Sequence, residues 1–477
     1  MLWRYLLLLF LGLAPTVLAE GLPDLGDASQ STFTVLEERR LGEEIMREVR
    51  ADRNYYDDPE ATDYLQALGN QLVSRGTDGR QEFRFFFMQD RQINAFALPG
   101  GFIGINTGLI LAAQSESEAA SVIAHEIAHV TQRHIARILD QQKNSTVISL
   151  AALAVAVLAS RSNSDISTAA ATLGQAGAIQ NLLNFTRDHE READRVGLQI
   201  LEAAGYDARA SAVFFERLQR ATRAYEAPSS SYLRTHPLTY ERIADIQNRL
   251  DRVPYRQVRD SVDFQLVRAK LRAEADTPAE ARTFFEQSLA ERRYLSEAAS
   301  RYGLAASLLR LKDYAGARKE FEALRRAAGS HAMVDTLGCR IRQAAGEREA
   351  AISCFRDAAT AYPQHRAITY EYSEALLQAG RAEPALERIA IGLKQSSDDA
   401  KLYLLQARAY ALQGKRLAQH RATGEAYARM GNVRGAVEQM QIALKSGDGD
   451  FYQLSATEAR LRELRKLDEA QRKEQRR

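Results

Sequence analysis

The sequence predicts a mainly α-helical protein with a small β-sheet, arranged as an N-terminal globular unit followed by an α-solenoid. Three observations carry this reading. Apolar residues recur at helical spacing along most of the chain, three short strand-like runs cluster between Phe83 and Asn106, and the helical pattern beyond residue 260 repeats every 34 residues. A chain of 477 residues holds at least two folded units. With 26% charged residues and a formal net charge of only +2, it has no broad basic face of the kind that tracks phosphates, which argues against a nucleic-acid partner.

The first residues read as a secretory signal peptide. Met1 to Arg4 supply a positive start, Tyr5 to Leu13 an apolar run, and Val17-Leu18-Ala19 a small-residue cleavage pattern before Glu20. The run is shorter than the roughly 20 residues that span a bilayer, which argues against a membrane anchor. The expected organisation is therefore a signal peptide over 1–19, a first folded unit over 20–260 and a helical-repeat unit over 261–477. The two cysteines, Cys339 and Cys354, permit one disulfide in an exported protein, and two buried thiols fit the sequence equally well.

Within the first unit, Leu36, Leu41, Ile45 and Val49, then Tyr64, Leu65, Leu68 and Leu72, mark two amphipathic helices over 32–75. Strands follow over Phe83–Phe87, Ile93–Leu98 and Phe102–Asn106, and Pro99-Gly100 between the last two suits a type II turn in a hairpin. Ser115 with Glu118 forms a capping-box signature for a helix expected to run to about Leu139. An uncharged run covers 145–160, a Ser/Ala/Gly-rich stretch 161–180, and a second long helix 181–203. Ser229-Ser230-Ser231 reads as a loop, and Thr239 caps a third helix just after His236-Pro237.

The repeat is the tetratricopeptide (TPR) kind. Ala351, Phe355, Ala358 and Pro363 follow the second-helix pattern, and Gly346, Gly380 and Gly414 stand 34 residues apart. Ala385 repeats Ala351, and Ala317 and Phe321 repeat Ala351 and Phe355 in the other direction. Gly431, Ala436, Met440 and Ala443 carry the same pattern only 17 residues past Gly414, which predicts one extra helix shifting the phase.

The chemistry is concentrated in His125-Glu126-Ile127-Ala128-His129. Residues four apart share a helix face, so His125 and His129 can bind one metal with Glu126 beside it. Zinc suits two imidazoles and lowers the pKa of its water to about 7, where a carboxylate can take the proton. A catalytic zinc needs a third protein ligand and an open position. Helical phase turns His134 about 140° further round than His129, away from the site. Glu190 and Asp194, four apart on the second helix, supply a candidate ligand and a carboxylate to accept the outer N–H of a zinc-bound histidine, while Glu192 points away. One zinc per chain is expected, with Glu126 and Asp194 in the catalytic roles.

These residues, with Asn94-Ala95-Phe96-Ala97-Leu98-Pro99-Gly100-Gly101 upstream, resemble the gluzincin family that includes HtpX, the CAAX prenyl proteases and the mitochondrial Oma peptidases. With the signal peptide and TPR tail, the chain is most similar to a branch of that family in the Gram-negative periplasm. The resemblance implies a zinc endopeptidase that is also a chaperone in the assembly of outer-membrane β-barrel proteins. Such an enzyme works beside LptD and the β-barrel assembly machinery and degrades unfolded or misassembled clients. It further implies that the histidine of His236-Pro237-Leu238-Thr239 is a regulatory fourth metal ligand that holds the site closed; the residues alone mark His236 only as a loop histidine.

The integral-membrane relatives carry apolar spans around the zinc motif, whereas 145–160 is too short to cross a bilayer. It reads as a plug over the site or a surface against the membrane, which leaves peripheral membrane contact open, or as an ordinary buried helix. The strand at Asn94, Ala95 and Phe96 could receive an extended substrate segment at its edge. A competing class is a TPR-based binding protein whose zinc site is latent or structural.

Overall fold

A computed structural model describes residues 34–76, 81–141, 186–224, 232–233, 236–237, 239–251 and 256–475. The expected signal peptide, the apolar run 145–160, the stretch 161–180 and the loop at Ser229–Ser231 lie outside the described residues.

Helix α1 (Val35–Ala51) begins at a closed capping box between Thr34 and Glu37 and buries Leu41, Ile45 and Val49. Helix α2 (Pro59–Gly76) buries Tyr64, Leu65, Leu68 and Leu72. Strands β1 (Tyr55–Tyr56), β2 (Arg84–Met88), β3 (Ala95–Leu98) and β4 (Phe102–Asn106) form one sheet in the order β1-β2-β4-β3. β2 runs parallel to β4, and β3 pairs antiparallel with β4 in the register Phe96↔Gly104, which leaves β3 at an edge. The connecting turn holds Gly100 at φ 76° and ψ 19°, as a type II turn requires. A side chain there would also strike the Arg39 backbone, since a Cβ on Gly100 would lie 2.6 Å from Arg39 Cα.

Helix α3 (Thr107–Ala112) leads into α4 (Glu116–Thr131), which is buried from Glu116 through Val130. Ser115 caps α4, accepting from the Glu118 N–H. Glu118 does not close the expected box: its carboxylate accepts from the Gln114 N–H and pairs with Arg217. The expected continuous helix to Leu139 is also corrected. α4 stops at Thr131, Arg133 adopts φ 52°, and a separate helix α5 (His134–Gln141) starts after it. Helix α6 (Arg187–Ala203) is capped by Thr186 and packs on α4. Gly197 permits that approach, because a Cβ there would lie 3.1 Å from His125 Cα. Helices α7 (Arg209–Ala224) and α8 (Tyr240–Leu250) complete the unit.

From Val262 the described chain is helical: α9 (Val262–Ala275), α10 (Pro278–Ala290), α11 (Glu297–Arg310), α12 (Tyr314–Ala328), α13 (Ala332–Ala344) and α14 (Arg348–Ala361) come first. α15 (Arg366–Gln378), α16 (Ala382–Gln395), α17 (Ala400–Leu412), α18 (Arg416–Arg429), α19 (Val433–Leu444) and α20 (Phe451–Gln475) follow. Neighbouring helices stack in sequence, and Ala351, Phe355, Ala385, Ala436 and Met440 fill the layers between them. Gly346, Gly380, Gly414 and Gly431 all turn at positive φ between helices. The 17-residue step from Gly414 to Gly431 is taken up by α18. Cys339 on α13 and Cys354 on α14 are joined in a disulfide.

The solenoid grips the first unit through α2. Tyr64 and Phe264 rings meet at 6.3 Å, and one apolar core runs without a break from Tyr56 to Ile341. Around it lies an ionic network, buried at Lys270 and Glu60 and half-exposed at Arg366 and Asp63. Lys270 Nζ donates to Glu60 at 2.6 Å and also pairs with Asp58. Arg340 approaches Glu60 at 3.3 Å, and Arg366 Nε donates to Asp63 at 2.7 Å. No helix among the described residues is long and apolar enough to cross a membrane.

Candidate metal centre

Side chains from α4, α6 and the segment before α8 converge in the interior. His125 and His129 project from one face of α4, and their Nε2 atoms stand 3.0 Å apart. Glu190 enters from α6, with its carboxylate oxygens 3.5 Å from His125 Nε2 and 3.4 Å from His129 Nε2. His236 Nδ1 lies 3.0 Å from Glu190 Oε1 and 3.4 Å from His125 Nε2. One donor atom from each of His125, His129, Glu190 and His236 falls within 4.8 Å of the other three, and all four residues are buried. Two or three imidazoles with one carboxylate is a donor set that fits a tetrahedral divalent metal.

Glu126 is fully buried beside this cluster, with Oε1 3.4 Å from His236 Nε2. Burial pushes its carboxyl up, against the pull of His236 and His125. The Ala97 N–H of β3 lies near the same carboxyl, so the open edge of the sheet borders the site. Just before β3 the chain already has a partner on this side: Ile93 O accepts from the Tyr232 N–H at 3.2 Å. Tyr232 O in turn accepts from the His236 N–H at 2.8 Å, and the two rings stack at 4.8 Å.

Asp194 lies one turn beyond Glu190, and its Oδ1 is 3.1 Å from His125 Nδ1. Arg242, from the first turn of α8, donates to Asp194 through Nε and Nη2 at 2.7 and 2.8 Å and reaches Glu190 Oε2 with Nη1 at 2.7 Å. Burial works to raise both carboxyls, but Arg242 holds Asp194 low, and His236, His125 and His129 hold Glu190 low. For His125, burial is outweighed by Asp194 and Glu190, which hold the imidazole up at about 10.

Every metal-site candidate named from sequence is brought into this cluster: His125, Glu126, His129, Glu190, Asp194 and His236. Asn94, Ala95 and Phe96 stand at the edge strand but are buried, with Tyr232 bonded to Ile93 just before its start. Sequence reasoning missed Arg242 and Tyr232. Arg242 sits three residues past its N-cap on an unremarkable charged helix, and only the fold turns it inward. Glu192 does face away from the donor atoms, whereas His134 lies against His129 because α4 breaks before it.

A family model described as peptidase family M48 matches residues 59–250, which span all of these residues. The beta-barrel assembly-enhancing protease of Escherichia coli strain K12 is 30% identical over 452 residues, covering 94% of this chain and 92% of that one. This chain belongs to peptidase family M48. A Vibrio cholerae relative is 42% identical over 250 residues, 52% of this chain and 51% of its own length. The mitochondrial metalloendopeptidase OMA1 of Schizosaccharomyces pombe is 26% identical over 221 residues, 44% of this chain and 60% of that one. As an M48 member the chain is a metalloendopeptidase, and the buried His/Glu cluster stands where M48 chemistry needs a metal.

Proposed function

We propose that the chain is a periplasmic zinc endopeptidase and chaperone that promotes assembly of outer-membrane β-barrel proteins and degrades those that misassemble. The observation that carries the peptidase reading is the convergence of His125, His129, Glu190 and His236 on one point with Glu126 alongside. The assembly role is supported by the 30% identity to a beta-barrel assembly-enhancing protease over nearly the whole chain. Export is supported by the signal-like N-terminus and by the disulfide between Cys339 and Cys354, a bond that persists in oxidising compartments.

In this reading His125, His129 and Glu190 hold one zinc, and His236 is a fourth ligand that keeps the site latent. When bound, zinc polarises a scissile carbonyl and lowers the pKa of water to about 7. Asp194 accepts the His125 Nδ1–H and fixes its tautomer, and Arg242 locks Asp194 from behind. Glu126 takes a proton from the attacking water and returns it to the leaving amine, a shuttle suited to a carboxyl whose pKa burial has raised. His236 opposes both functions while it stays in place: Nδ1 faces the donor cluster and Nε2 faces Glu126. An extended client segment adds at β3, beside Ala95 and Ala97, and competes with Tyr232 for Ile93 O. The solenoid supplies docking surface for the β-barrel assembly machinery and for LptD.

The test of the assembly role is genetic and biochemical. In a Gram-negative host lacking its own relative, the wild-type chain should restore the amount of correctly assembled LptD, and Glu126→Gln should leave stalled LptD undegraded. No difference between host, wild type and variant would remove the assembly role.

A further inference from the structure

The break between α4 and α5 delivers a histidine to the back of the metal site. Arg133 sits at φ 52°, a conformation that side-chain-bearing residues rarely adopt, and its Nε donates to buried Glu38 of α1 at 2.9 Å. In an unbroken helix His134 would stand about 140° round from His129. The turn at Arg133 instead brings His134 Nδ1 to 2.8 Å from His129 Nδ1. The other face of the ring is anchored as well. His134 Nε2 lies 3.2 Å from Glu192 Oε2, and Arg137 Nη1 donates to that same oxygen at 2.8 Å. His134 has no exposed surface, and its ring stacks on His189 at 4.5 Å.

We propose that His134 is a positioning residue for His129, holding the orientation and tautomer of that ligand through Nδ1 while Glu192 anchors its own Nε2. The proposal rests on the metal-site reading above. His129 turns Nε2 into the donor cluster, so as a ligand it carries its proton on Nδ1, and that N–H needs an acceptor. His134 Nδ1 is that acceptor, which places the proton of His134 on Nε2, where it donates to Glu192. His125 is served directly by the carboxylate of Asp194, whereas His129 is served by an imidazole backed by a carboxylate.

The test is zinc affinity of the full chain, measured by competition with a chromophoric chelator, for wild type, His134→Ala, His134→Asn and His134→Gln. The Asn amide overlies the Nδ1 position of a histidine and the Gln amide overlies Nε2. His134→Ala and His134→Gln should weaken zinc by about 10–100-fold, while His134→Asn should keep most of the wild-type affinity. The cobalt-substituted absorption band should shift in the Ala and Gln variants and stay in place in the Asn variant. Thermal unfolding of each variant identifies any that does not fold, and the Asn/Gln contrast is read between folded proteins. Equal affinity in all four proteins, or equal loss in all three variants, would overturn the proposal. A wild type that binds no zinc would overturn the metal-site reading, and this inference with it.

Discussion

The Arg242 guanidinium clamps Asp194 with two hydrogen bonds, at 2.7 and 2.8 Å, while that carboxylate faces His125 Nδ1 at 3.1 Å. All three side chains are buried, so the clamp neutralises the interior carboxylates and, in the proposed site, fixes the ligand His125 from behind. Arg242→Ala leaves Asp194 and Glu190 without their cation and should cost about 3–5 kcal/mol of stability, the usual penalty for breaking a buried pair from one side. Arg242→Lys should recover little, since an ammonium cannot reproduce the paired fork. Thermal and denaturant unfolding of the two variants checks this, and a fully stable Lys variant would argue against the clamp.

Latency should reside in His236. His236→Ala is expected to raise basal cleavage of an unfolded protein such as casein, and self-cleavage with it, because it frees Glu126 and the fourth donor position together. If the variant is inactive with zinc still bound, His236 acts on the substrate and is not a latch.

The grip of the solenoid on α2 should be acid-labile. Burial works to raise the Glu60 carboxyl, but Arg340 and Lys270 outweigh it and hold it at about 2, below the value of about 4.3 for a free Glu. A depressed carboxyl contributes stability that is fully present above the unfolded pKa and lost as pH falls through the folded one. The contact should therefore weaken between about pH 4.3 and 2. Glu60→Gln should flatten that part of the pH–stability curve while lowering stability at pH 7. The shared core from Tyr56 to Ile341 also means that removing the solenoid would expose α2, so point substitutions such as this one probe the contact more cleanly than truncation.

The disulfide between Cys339 and Cys354 should matter to the repeat more than to the site. It closes a span of 15 residues across the α13–α14 hairpin, for which loop entropy gives about 3 kcal/mol. Replacing both cysteines with serine should lower the unfolding midpoint and leave peptide hydrolysis unchanged.

Much of this was legible in the sequence because it rested on period and spacing. The i, i+4 pairs His125/His129 and Glu190/Asp194 need only helical geometry to share a face, and the 34-residue glycine register needs only stacked hairpins. What stayed hidden depended on the path of the chain. His134 was placed by ideal helical phase, which fails where Glu38, 95 residues earlier in sequence, holds Arg133 in a left-handed turn. Arg242 and Tyr232 reach the site across tertiary contacts with Asp194 of α6 and with Ile93, which no local pattern encodes.

The central claim is that Glu126 does proton-transfer chemistry beside a zinc held by His125, His129 and Glu190. It is tested most directly by placing Glu126→Gln in the unlatched His236→Ala background and measuring zinc per chain together with cleavage of an unfolded protein. The account predicts one zinc per chain with and without Glu126→Gln, and cleavage only where Glu126 is intact. Cleavage at the parental rate by the zinc-loaded double variant would contradict it.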